Sequence, residues 1–548
     1  MNRQQDERIP LLARRRLQQR WIPARVLICV MTFTTCWTSY MCRLQMPILA
    51  VPMIKTLPSN FTVEGACVQE TRHVRAISWL DPGAYLEDQI LEERLSSYDA
   101  GDVDDIRNLH RSRRDDSDIS KITRPSDEPI ELFNGLPFDW TPTIRGQIIA
   151  AYSYGNVPGN FLGGVLAIKF GPKKAILWTS ILAAVISLIS PIIAQIHWGL
   201  LLASRIIIGF TGGVTFPACH TLVARWAPPH EKARFVWSLL GGTFGTILTY
   251  PMVAGIADMI NWESAWYIPS LLMFVWILFF MLLTYDSPEE HPGITDEEKQ
   301  YILSSQAGTV QREKPSLKQT PVKKIFTSMP FISLVILHFG NIFLLFFYQN
   351  SMMLYLTKAL GFQLTKGGAA AGIPWGGRMF FGFFFSWAGD TVKRKQLVSV
   401  TNLRKIATIF SHLLPGIFLV LVGYVGCSLI LANVFLFLAL GFNGAASISN
   451  LSNNQDLSPN YAGFLYGIMN TIGGTSGMII SPLVEEIAGK YGNPIHKWQI
   501  LFWIGGGVTI ACMVVFILGG SGNIQQWNEI KADGDAEGGR KRQEEAKA

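Results

Sequence analysis

Apolar stretches of about 20 residues recur along most of this chain, each roughly what an α-helix needs to cross a hydrocarbon core of about 30 Å. Twelve can be traced, near 25–53, 145–168, 174–194, 198–222, 235–257, 264–284, 328–357, 367–388, 402–422, 425–447, 461–484 and 497–520. Across 548 residues, 49% are hydrophobic and only 16% charged, which sets the chain apart from ordinary soluble domains. The spans predict an all-α membrane protein of twelve transmembrane helices in two six-helix halves. The expected organisation is a tail 1–24, a first half 25–284 with a long loop 55–143, an inter-half loop 285–327, a second half 328–520 and a tail 521–548. No small-residue cleavage signature follows the first apolar run, so that helix is expected to be retained.

Basic residues mark the sidedness. Arg14, Arg15, Arg16, Lys169, Lys173, Lys174, Lys393, Arg394, Lys395, Arg540, Lys541 and Arg542 fall on one side, and only Lys358, Lys366, Lys490 and Lys497 in the short loops opposite. The positive-inside rule then predicts cytoplasmic N- and C-termini. The net charge of +7 reports this orientation and not a nucleic-acid partner, because the basic residues flank helix ends instead of forming one aromatic-studded stripe. Two glycosylation sequons sort accordingly: Asn60 lies in the luminal or extracellular first loop and is the acceptor, whereas Asn450 falls in an expected cytoplasmic loop. The first loop contains "DAGDVDDIRNLHRSRRDDSDISK", too charged to bury a core. In the inter-half loop "TDEE" reads as a helix start. Cysteines 29, 36, 42, 219, 427 and 512 lie in apolar runs and read as packing residues, with no disulfide framework and no metal spacing. No Ser/His/Asp cluster, zinc motif or phosphate loop points to an enzyme or a cofactor.

Arg43 interrupts the first span in "TTCWTSYMCRLQMPILAV". Along an ideal helix it lies about 27 Å from Arg25 and about 18 Å from Lys55, whereas an arginine side chain reaches roughly 6–7 Å, so it is expected to face an aqueous cavity. A guanidinium there needs a carboxylate, a phosphate, a backbone carbonyl or water as partner, and its planar fork suits a carboxylate held bidentately; a structural role tied to helix ends is the other reading. Arg378, in "PWGGRMFFGFFF", is expected near mid-membrane in the eighth span, as a functional or a structural charge.

"GGVLAIKFGPKK" after the second span and "FSWAGDTVKRK" after the eighth occupy equivalent places in the two halves, and with twelve spans they resemble the major facilitator superfamily; Ile168 departs from that pattern and Asp390 keeps it. The run "GFTGGVTFPACHTLVARWAPPHEKARF" resembles the fourth-helix signature of the anion transporters of solute carrier family 17. Further similarity lies in "YDSPEEHPGITDEEKQYI", "HFGNIF", "NNQDLSPNYAGFLYGIMNTIGGTSGM" and "GGSGNIQQW". The resemblance covers about residues 25–528 without the first loop. It implies a transporter of small organic anions working by alternating access, with Arg43 matching the family's first-helix arginine and Arg205 one in helix four. An interfacial anchor is the other reading of Arg205.

Departures from the family narrow the expectation. Where glutamate-carrying members have an arginine in helix seven and a histidine in helix two, this chain has Asn341 and Ile149; Arg378 is the candidate replacement cation. Where sialin-like members carry proton-linked glutamates in helix four, it has Ile208 and Gly212. His338 and His412 are either proton-linked or satisfied polar residues; Asp258, Glu485 and Glu486 fall near luminal ends, Asp390 and Asp456 near cytoplasmic ones. Coupling to a proton, to sodium or to membrane potential stays open. Among Tyr152, Tyr154, Asn156 and Asn160, Tyr154 is the expected substrate contact. "ERIPLL", with Glu7, Leu11 and Leu12, resembles a dileucine sorting signal read by an adaptor, which favours a lysosomal or endosomal membrane. Sodium-coupled phosphate uptake and a transport-dead sensor or scaffold are the competing readings.

Overall fold

The computed structural model describes residues 23–54, 138–228, 235, 238–306 and 320–528. Asn60, Glu7, Leu11, Leu12, most of the first loop, Cys67 and the distal parts of both tails lie outside the described residues. Twelve helical rods are present: α1 Ala24–Met53, α2 Pro142–Phe170, α3 Pro172–Ile196, α4 Trp198–Trp226, α5 Gly241–Met259, α6 Ser264–Leu283, α7 Met329–Leu354, α8 Leu364–Arg394, α9 Val400–Val422, α10 Leu429–Leu457, α11 Ala462–Ile487 and α12 Ile495–Gly519. Three of them depart from the continuous helices expected. A π turn, Ile409–Leu413, interrupts α9; a 3-10 segment, Gly444–Ile448, interrupts α10; and α11 breaks at Thr475.

Eight rods are long and apolar enough to cross a membrane on composition alone; α1, α2, α8 and α11 are not among them. The halves meet where α2 lies on α11, α8 on α5 and α1 on α7, contacts at which small and polar residues are at home, and α11 is divided at Thr475 into segments of 13 and 12 residues. Within the first half, α2 presents Gly155 and Gly159 to α4. A Cβ at Gly155 would stand 1.8 Å from the Ile206 carbonyl oxygen, and one at Gly159 2.4 Å from that of Phe210, so side chains there would force the two backbones apart.

The second rod starts earlier than expected, at Pro142, because Thr141 accepts a hydrogen bond from the Ile144 N–H at 3.3 Å and Pro142 occupies the first turn. In the inter-half loop the expected helix spans Asp296–Gln306, capped by the Thr295 hydroxyl, which accepts from the Glu298 N–H. The Glu298 carboxylate in turn accepts from the N–H groups of Ala24 and Arg25 at 3.0 and 3.1 Å, closing the N-terminus of α1.

Two sequence expectations are corrected. Asn450 is not in an exposed loop: "NLSNNQDL" forms the last segment of α10, where Asn450, Asn453 and Asn454 are buried, and the Asn450 amide donates to His338 Nδ1 at 2.8 Å. Cys427 is disulfide-bonded and does not lie in an apolar run: α9 ends at Val422 and α10 begins only at Leu429, which leaves this cysteine in an exposed turn. None of the other described cysteines is in a disulfide.

Packing differs at the two faces of the membrane. At the ends opposite the termini one apolar core joins both halves, with Leu49 and Met53 of α1, Tyr250 and Ala257 of α5, Tyr348 and Leu356 of the α7 end, and Ile480 and Val484 of α11. At the cytoplasmic ends each half closes on a core of its own, one around Trp226 and Phe280, the other around Phe331 and Phe516. The side opposite the termini is thus the sealed one. Polar bonds cross it: the Tyr250 hydroxyl donates to the Gln349 carbonyl at 2.9 Å, and the Thr365 hydroxyl to the Asp258 carboxylate.

Candidate functional site

Arg43 lies two thirds of the way along α1, four residues before Pro47. Proline has no N–H, so the Arg43 carbonyl lacks its helical donor. Arg205 supplies the replacement: from α4 it donates to the carbonyls of Cys42 and Arg43, each at 2.9 Å. Arg205 is fully buried, which is neither an interfacial anchor nor a group open to the interface between the halves. Its two bonds tie α4 to the turn of α1 that Pro47 leaves short of a donor.

The Arg43 side chain itself points at the interface. Its guanidinium carbon stands 4.1 Å from the ring centre of Phe346, 5.2 Å from Tyr152 and 5.4 Å from Tyr40, so rings from both halves cover it. Cation–π contacts of this kind hold a guanidinium plane without neutralising it. Its Nε is buried with no hydrogen-bond partner, and among the described residues it belongs to no ion pair. A charge in that condition is available to an incoming anion.

Arg378 sits at the middle of α8, where the sequence places it. Its Nε donates to the Asn443 Oδ1 at 3.0 Å. Asn443, fully buried, also donates to the Asn341 Oδ1 at 3.0 Å and to the Ser411 carbonyl at 3.1 Å. Asn341 keeps a buried amide nitrogen with no partner. Arg378 and Asn341 are thus tied to one another through a residue that sequence reasoning missed.

Tyr154 donates to the Gln147 side chain at 2.7 Å on its own helix, while Tyr152 is the ring that meets Arg43 and Arg205. Positions two apart on a helix point about 200° apart, so only one of the pair can face the arginines. The two histidines extend the polar network away from Arg378. His412 Nε2 donates to the Leu337 carbonyl at 3.0 Å and its Nδ1 meets the Ser411 hydroxyl at 2.7 Å. His338 meets Asn470 Oδ1 through Nε2 and the Asn450 amide through Nδ1. In each, the neutral ring satisfies both nitrogens. Gly212, at one family glutamate position, is backed by Tyr152, whose hydroxyl would stand 2.2 Å from a Cβ there.

The Major Facilitator Superfamily model matches residues 127–482. Human sialin is 28% identical over 417 residues, covering 75% of this chain and 83% of that protein. Human vesicular glutamate transporter 2 is 29% identical over 392 residues, 71% of this chain and 67% of its own. In fold, the chain is similar to the inward-open xylose transporter XylE from E. coli, with a TM-score of 0.55 and 13% identity over 89% of this chain and 96% of that one. Twelve rods in two halves, an interface lined by intramembrane cations and a family match across most of the chain lead to one statement: this is a multi-pass membrane transport protein that belongs to the major facilitator superfamily.

Proposed function

We propose that this protein carries small organic anions of the carboxylate class by alternating access, Arg43 binding the anion from the first half and Arg378 with Asn341 from the second. The observation that carries the reading is the state of Arg43: a guanidinium deep in the membrane, stacked by rings of both halves and without a carboxylate partner. Its planar fork suits a carboxylate oxygen pair. Similarity to sialin and to vesicular glutamate transporters supports the same class of cargo, and the dileucine-like tail supports a lysosomal or endosomal address.

The driving force in this reading is membrane potential. No carboxylate joins Arg43 among the described ion pairs, Gly212 is backed by Tyr152 where relatives place a glutamate, and His338 and His412 are satisfied as neutral rings. One net charge moving across 100 mV supplies about 2.3 kcal/mol without a titrating group. The test is uptake into liposomes containing the purified protein, comparing sialic acid, glutamate, urate and phosphate under separate pH, sodium and voltage gradients. Voltage-driven carboxylate uptake that is lost in Arg43→Gln supports the proposal. Flux that requires sodium and prefers phosphate overturns it, as does anion-induced thermal stabilisation without any flux.

A further inference from the structure

At the sealed luminal side, α2 and α11 are joined by a bidentate ion pair that no sequence motif announces. Arg145, in the first turn of α2, donates through Nε to Glu485 Oε1 at 2.6 Å and through Nη2 to Oε2. The side chains are 8% and 2% exposed, and the partners lie 340 residues apart, one in each half. Glycines make room on both sides. A Cβ at Gly489 would stand 2.0 Å from the Glu485 Oε2, and one at Gly146 would stand 3.0 Å from the Glu485 Cγ. The neighbouring Glu486 is turned to solvent, where it pairs with Lys490.

We propose that Arg145 and Glu485 form the latch that holds the luminal gate shut and that must part each time the halves open toward the lumen. The physical case rests on an asymmetry of buried charge pairs. Intact, such a pair contributes little net stability, because desolvation offsets attraction; with one partner removed, the other is left charged and dry. In this protein the stranded charge has an escape that a core residue lacks, since parting the halves at the lumen rehydrates it. Removing either partner therefore favours the luminal-open state. Replacing both with apolar groups of similar volume removes the stranded charge and favours the closed state.

The inference rests on alternating access but not on the identity of the cargo, and its test needs no substrate. Ala257 is fully buried in the core shared by the halves at the luminal end of α5, so Ala257→Cys reports opening there. With the purified full chain reconstituted in liposomes and membrane-impermeant maleimide added outside, so that only molecules presenting this face to the medium react, Glu485→Gln and Arg145→Gln are each expected to label several-fold faster than the parent. The charge-swapped pair Arg145→Glu with Glu485→Arg, or the apolar pair Arg145→Met with Glu485→Leu, is expected to return labelling to the parent rate or below. Size-exclusion of each detergent-extracted variant identifies those that fold. Native-rate labelling in a folded single variant overturns the latch. Fast labelling that neither double variant reverses also overturns it, because lost packing and not the pair would then explain the opening. Since this readout is independent of anion uptake, a failed latch leaves the proposed function standing, and the reverse holds equally.

Discussion

Arg205 of α4 donates to the main-chain carbonyl of Arg43 in α1 at 2.9 Å, at the turn where Pro47 withholds the helix's own donor. The proline thus creates the need that the buried arginine meets. Leaving a buried acceptor unpaired costs about 1–3 kcal/mol, so Arg205→Met is expected to lower the unfolding temperature of the detergent-solubilised protein. In a Pro47→Ala background the restored N–H serves the Arg43 carbonyl, and the cost of Arg205→Met is expected to shrink. A cycle in which the two effects simply add would refute the link.

Arg43 is the position on which anion binding turns. Hydrogen bonds to charged groups are worth about 1.5–3 kcal/mol, roughly a ten- to hundredfold change in affinity. Arg43→Gln is expected to weaken anion binding by that factor, and Arg43→Lys to recover part of it, because a point charge replaces a planar fork. Phe346→Leu keeps the charge and removes the ring 4.1 Å away; a raised KM with little change in the maximal rate is expected. Binding measured by isothermal titration, together with vesicle uptake, distinguishes these effects.

Much of the architecture was legible from apolar run length, because a bilayer imposes a minimum length on whatever crosses it. The breaks inside α9, α10 and α11 were not, since they answer to neighbours: a Cβ at Gly477, two residues past the α11 break, would stand 2.1 Å from the Ser153 hydroxyl of α2. Arg43 and Arg378 were legible as charges in apolar runs. Their surroundings were not, for Tyr152 and Tyr154 differ only in helical face, and Asn443 looks like any polar residue until α7, α8 and α9 converge on it. Arg145 and Glu485 each sit near a span end, where charge is ordinary; only folding brings them together.

The close approach of Gly212 to Tyr152 is testable through stability. Because the Tyr152 hydroxyl would stand 2.2 Å from a Cβ at that position, Gly212→Ala is expected to displace the ring that stacks on Arg43, destabilising the protein by about 1–3 kcal/mol, the range for overpacked cores. Tyr152→Phe removes the colliding oxygen and is expected to recover part of the loss. Thermal unfolding of the three variants checks this; equal damage with and without the hydroxyl would show that the two positions do not compete for the same space.

Asn443 offers the sharpest separation between holding a charge and merely filling space. Its carbonyl oxygen accepts from Arg378 while its amide donates to Asn341 and to the Ser411 carbonyl, so each end of the side chain has a separate task. Asn443→Asp keeps the size and the acceptor but sets a carboxylate against Arg378, neutralising it, and turns an acceptor toward two other acceptors. Anion affinity is expected to fall by roughly tenfold or more, as for loss of a charge-assisted bond. Asn443→Ser retains a small hydroxyl and leaves Arg378 charged; it is expected to lower the unfolding temperature while preserving more of the affinity than the aspartate does. Should the aspartate bind anions as well as the serine does, Arg378 would have no part in capturing them, and the second half would contribute to the site through Asn341 and its aromatic rings alone.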